Sequence, residues 1–135
     1  MTQEVYREVV HEGSEQAIGK HELKNDVKKR YIKVYEVKDQ EFVMKSYGRL
    51  HKGELEVIVG AKELNTSIVI IDEKSARNFA EALMLRPLGL IGILKLAKQK
   101  EKINEIKPSI ELLVLKKFRM SKKMIKLVLK EVGEI

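Results

Sequence analysis

The sequence predicts an α/β fold, with helices layered on a short parallel sheet. Ser67–Ile71 contains a continuous β-branched run, Ile68-Val69-Ile70-Ile71, the pattern of a strand buried on both faces of a parallel sheet. Tyr31–Val37 alternates, with Ile32, Val34 and Tyr35 apolar against Lys33 and Glu36, which also reads as a strand. Helical patterns separate and follow these runs, and strand–helix–strand–helix order calls for parallel pairing. At 135 residues the chain is expected to be one domain, 1–135.

The elements follow in order. Residues 3–18 read as a helix with Val5, Val9 and Val10 on one face, and Gly13 ends its first part. Residues 21–30 read as a mostly exposed helix. Gln40–Leu50 places Phe42, Val43, Tyr47 and Leu50 at helical spacing. Gly53 opens a helix over Glu54–Leu64, where Leu55, Ile58, Ala61 and Leu64 recur every third residue. After the Ser67–Ile71 strand, Asp72 is placed to cap a helix over Glu73–Leu83. Arg86-Pro87-Leu88 is a connector or a short edge strand. Gly89–Lys98 is helical. Pro108 suits the first turn of a helix reaching Lys117. Ser121 caps a last helix that Gly133 ends.

Composition excludes several chemistries. There is no cysteine, so disulfides, Cys-ligated zinc and thiol catalysis are ruled out. No apolar run reaches the ~20 residues of a membrane span, and the first residues lack the pattern of a signal peptide, so a cytoplasmic protein is expected. The net charge of +7 favours an anionic partner. Lys95–Lys130 holds 12 Lys/Arg against 3 Asp/Glu, so the C-terminal helices are expected to draw in nucleic acid. Gly13–Lys20 has the wrong spacing for a phosphate loop. The three histidines have no metal-site spacing.

Three carboxylates stand out. Asp72 directly follows an apolar strand, where functional groups collect in open parallel sheets; the competing role is a helix cap. Glu54 follows Gly53 at a helix start, where it either complements the helix dipole or projects into the same cleft. Glu8 lies inside the first helix. Acids on separate elements, in a chain without cysteine, suit magnesium or manganese, which take oxygen ligands.

Gly53-Glu54-Leu55-Glu56-Val57-Ile58, Ile70-Ile71-Asp72-Glu73-Lys74-Ser75-Ala76-Arg77, Leu88-Gly89-Leu90-Ile91-Gly92-Ile93-Leu94 and the closing Gly133-Glu134 resemble one branch of the PIN-domain superfamily. That branch consists of small prokaryotic proteins described as nucleic-acid-binding. The opening Val5-Tyr6-Arg7-Glu8-Val9 resembles the family's helix carrying its second acid. The resemblance implies a three-layer α/β/α PIN-like fold with a helical C-terminus. It implies a ribonuclease in which an acidic cluster binds Mg or Mn and activates water. It matches Glu8 to the second acid, Glu54 to the third and Asp72 to the fourth. It puts Lys74 and Arg77 toward nucleic acid. Many relatives are toxins of toxin–antitoxin pairs and form dimers, so an antitoxin partner and a homodimer are implied. The family's first acid ends a strand upstream of the helix that opens this sequence, so an N-terminally truncated domain is expected. The chain then either starts further upstream or is a remnant that repairs its sheet with a partner. A catalytically inactive RNA- or protein-binding module is the alternative reading. Gly60 stands where the family usually has Leu, and Leu90 where it often has Thr.

Overall fold

A computed structural model describes residues 1–17 and 19–135. The chain divides into two units, Met1–Leu88 and Gly89–Ile135.

The first unit opens with α1 (Gln3–Arg7), which continues as one wider π turn over Glu8–Glu12. The helix expected over 3–18 therefore stops short, and Ile18 lies outside the described residues. Gly13 lets the chain leave at this point: a Cβ there would stand 2.4 Å from the Val9 carbonyl oxygen. Next come α2 (Lys20–Lys28) and α3 (Gln40–Ser46). The Asp39 carboxylate caps α3 by accepting the Phe42 N–H at 3.1 Å. That helix ends before the expected Leu50, because Gly48 turns the chain at φ 102°.

The strand expected over 31–37 does not form. Tyr35 makes one parallel bridge to Thr2, with Gln3 N–H donating to the Tyr35 carbonyl at 2.9 Å and Tyr35 N–H to the Met1 carbonyl at 2.8 Å. The Met1 amino group adds one bond to the Lys33 carbonyl at 2.8 Å, but Thr2 is the N-cap of α1, so beyond Gln3 its segment is helical and the pairing stops.

The central element is α4 (Lys52–Glu63), which begins slightly earlier than Gly53 suggested. Its Leu55, Ile58, Val59 and Ala61 are buried in the core with Val37, Val43, Val69, Ile71, Ala76, Ala80 and Leu85. Gly60 lets this helix approach closely: a Cβ there would lie 3.3 Å from Thr2 Cγ2, 3.4 Å from Val37 Cγ2 and 3.5 Å from Tyr35 Cδ1. At the helix's far end, the Glu63 carboxylate accepts the Tyr35 hydroxyl at 2.7 Å and the Asp39 N–H at 2.8 Å.

Strand β1 (Ile68–Ile70) pairs in parallel with β2 (Arg86–Leu88), Val69 opposite Pro87, with α5 (Lys74–Ala82) between them in sequence. This unit is α/β, as the sequence predicts. The strand is not buried on both faces, however. Alternation puts Val69 into the core at 4% exposure and turns Ile68 and Ile70 outward at 54% and 64%. Nor does Asp72 hold the cap position of α5, which Glu73 occupies.

The second unit is helical: α6 (Leu90–Gln99), α7 (Lys107–Leu115) and α8 (Lys122–Glu131). Pro108 sits in the first turn of α7, and Ser121 Oγ accepts the Met124 N–H at 3.1 Å, both as expected. The core is Ile106, Ile110, Val128 and Leu129, with Ile91 and Leu94 of α6 packed on it. Gly133, at φ 73°, ends α8 and turns the chain so that Glu134 reaches the start of α7. The Glu134 carboxylate there accepts the Ile106 and Lys107 N–H groups, each at 2.8 Å, and pairs with Lys98 at 2.8 Å. This unit contains 12 Lys/Arg and 5 Asp/Glu and so carries the whole net charge of +7, while the first unit balances 15 against 15. No described helix is long and apolar enough to cross a membrane.

Candidate active site

Glu4, Glu8 and Glu12 recur every fourth residue and share one face of α1 and its π turn. Their fates differ. Arg7 takes the Glu4 carboxylate in a fork, Nη2 at 2.6 Å and Nε at 3.1 Å, and reaches Glu12 at 2.6 Å. Lys52 stands 3.6 Å from Glu4. The Arg7 hydrogen bonds hold the Glu4 carboxyl below its usual range against the opposing effect of burial.

Glu8 forms no ion pair among the described residues. It is half-buried against the first turn of α4, where a Cβ on Gly53 would stand 2.7 Å from its Oε1 and 3.0 Å from its Oε2. Burial pushes this carboxyl above its usual range, and the Glu4 and Glu12 charges push the same way. Arg7 and His51 pull it down without cancelling the rise. A carboxyl with a raised pKa and no ion pair among the described residues marks Glu8 as a functional candidate.

Gly53 is the residue that makes this contact. Gly53→Ala is expected to leave α4 helical but to displace the Glu8 carboxylate, because the carboxylate is the mobile end of the clash. An NMR pH titration would show it as a Glu8 pKa moved back toward the ordinary value. An unmoved pKa would mean that the contact does not set it.

Glu54 follows directly. Its carboxylate turns back on its own helix and accepts the His51 N–H at 3.1 Å. It also borders an open depression of about 360 Å³ with Arg49, His51, Glu73 and Ser75. Glu73 and Ser75 belong to the turn and first residues after Asp72, so Glu54 shares this hollow with the neighbours of Asp72. Asp72 itself is exposed beyond the C-terminal end of β1. The Arg77 guanidinium donates to the Asp72 backbone carbonyl and so braces the turn that carries it. Lys74 is exposed at the start of α5.

The N-terminal end of α4 is therefore the common reference point: Glu8 touches it, Glu54 caps it, and the turn after Asp72 borders its hollow. A hard divalent cation asks for more than this. Among the described residues, no three His, Asp or Glu side chains lie close enough together to hold a metal ion. The acids as they stand do not fit a closed metal site.

Sequence reasoning missed the supporting residues. His51 and Arg49 line the hollow, and Arg7 and Lys52 neutralise Glu4 beside Glu8. The four-residue spacing of Glu4, Glu8 and Glu12 was the available signal, since it places like charges on one face. Glu56 was missed too. It is buried at 4% exposure and ties α1 to α3 through the Glu4 N–H at 3.2 Å and Gln40 Nε2 at 3.1 Å.

A family model described as PIN domain matches residues 1–134. No curated protein and no solved structure matches the chain.

Proposed function

Because the chain belongs to the PIN-domain family, whose model matches it over residues 1–134, we propose that it cleaves RNA phosphodiesters. Glu8, Glu54 and Asp72 are its acids, and Lys74 and Arg77 face the phosphate chain. Magnesium or manganese is the cofactor that the family implies. The described residues do not group three ligands for it, so each acid's part is derived from its own surroundings.

The observation that carries the reading is Glu8, a half-buried carboxyl with a raised pKa and no ion pair among the described residues, beside the N-terminus of α4. Such a group is suited to take the proton of a water attacking phosphorus, as the bond to the leaving oxygen breaks. Glu54 fixes the helix end against which Glu8 rests. Arg77 braces the Asp72 turn. In the same proposal the protein is the toxin of a toxin–antitoxin pair and a homodimer. Growth arrest on induced expression and light scattering test these two points.

The decisive assay is cleavage of a labelled RNA with manganese or magnesium present. Glu8→Gln should slow cleavage by about 10²–10⁴-fold, the usual worth of a general base, while RNA binding persists. Asp72→Asn should also abolish most turnover. Full activity in either variant refutes its role. A second reading, an RNA-binding module without cleavage, is favoured by the ungrouped acids. Binding without turnover under either ion would establish it in place of the first.

A further inference from the structure

Lys122, Lys126 and Lys130 stand at intervals of four along α8, and Lys123 lies beside them on the same exposed face. They span about 12 Å at 1.5 Å per residue. None of the four is in an ion pair among the described residues. The helix's own carboxylate, Glu131, is taken by Lys95. Two features make this stripe costly for an isolated helix. Like charges four residues apart repel. Lys122 and Lys123 also occupy the first turn, where the helix dipole disfavours cations and no acid offsets them. A polyanion laid along the face removes both penalties.

We infer that the outer face of α8 is an RNA-backbone-binding surface, with Lys122, Lys123, Lys126 and Lys130 contacting successive phosphates. Charge complementarity calls for a polyanion, the proposed function makes it RNA, and burial argues against a lipid surface. Val128, Leu129 and Ile125 are committed to the core of the second unit, leaving Met124 and Leu127 as the exposed apolar residues of the helix. That is too little to insert into a bilayer. The inference rests on the proposed function for RNA as the occupant but not on cleavage, since the surface lies apart from Glu8, Glu54 and Asp72 in sequence and is tested without turnover.

The test is fluorescence anisotropy of a short labelled single-stranded RNA of mixed sequence. It uses the whole chain in EDTA, so that cleavage plays no part. One variant changes the four stripe lysines to alanine. A control changes Lys24, Lys28, Lys29 and Lys33, exposed lysines of the first unit, to alanine and so removes the same charge. Circular dichroism checks that both fold. The stripe variant should bind at least tenfold more weakly at low salt. The slope of log K against log salt should shrink by about 3, at ~0.7 per lost phosphate contact on a single strand. The control should change much less. Equal losses in the two variants, no RNA binding by the wild type, or tighter binding to phosphatidylserine vesicles than to RNA would each overturn the inference.

Discussion

Ile58→Ala is expected to destabilise the first unit by about 2–5 kcal/mol, the range for truncating a large buried aliphatic side chain. Ile58 is 0% exposed and lies midway along α4, in the cluster that also holds Leu55, Val43, Val69 and Ala76. The cluster members just named sit on three helices and a strand, which cannot all close on the space left behind. Against a typical total of about 5–15 kcal/mol, such a loss leaves a visibly unfolded fraction at moderate temperature. Urea unfolding followed by circular dichroism would measure it, with Leu127→Ala as comparison. Leu127 is 58% exposed, so its loss should leave the midpoint nearly unchanged. Similar shifts in the two variants would mean that the core does not centre on α4.

Glu134→Ala should lower the melting temperature by several degrees, the largest effect expected of any residue near the C-terminus. One carboxylate answers two backbone N–H groups at the start of α7 and the Lys98 ammonium. Removing it strips both N–H groups of their partner at once, while Lys98 keeps only the Val132 carbonyl at 2.9 Å. Burial pushes the Glu134 carboxyl up, but Lys98 and the two amides together outweigh burial and hold it below its ordinary value of 4.5. The folded pKa is thus the lower one. Its stabilisation is complete above about pH 4.5 and disappears as the pH falls through the folded value. Glu134→Gln keeps the size and loses the charge, so it should flatten that part of the acid limb. An unaltered limb would assign the acid sensitivity to another carboxylate, such as Glu63 or Glu4, whose values are also lowered.

Much of this architecture is written in short-range signals. The three-residue spacing of Leu55, Ile58 and Ala61, the proline at 108, the serine at 121 and the glycine at 133 each act through their own turn of chain. Each lies where expected. The Ile68–Ile70 run was legible for the same reason, whereas Arg86–Leu88 read as either a connector or a short edge strand, and its pairing with Ile68–Ile70 is a longer-range fact. What failed depended on distant partners. Tyr31–Val37 alternates like a strand, but a strand needs a neighbour, and Thr2 supplies one bridge before α1 begins. Ile68 and Ile70 looked buried because apolar content does not say which faces are covered. The candidate acids could be chosen from residue type and resemblance. The fork of Arg7 on Glu4 and the press of Glu8 against Gly53 could not, since the latter joins residues 45 positions apart. The Glu134 clasp was visible only as a closing Gly-Glu pair whose purpose needed the start of α7 beside it.

Gly60 places a steric constraint on how this chain can change. A glycine within a helix gives up about 1 kcal/mol relative to alanine, and the space released here is filled by Thr2, Tyr35 and Val37. An alanine would need only the Thr2 methyl to yield by a few tenths of an ångström, with Val37 and Tyr35 in ordinary contact. A leucine would need them gone. With the opening residues and the Tyr35–Val37 segment seated on a bare helix backbone, a large side chain at position 60 has no room. Any lineage that introduces one must first change the residues on the other side of the contact. Position 60 and its three neighbours should therefore substitute as a group, with the order of changes fixed by sterics rather than by chance.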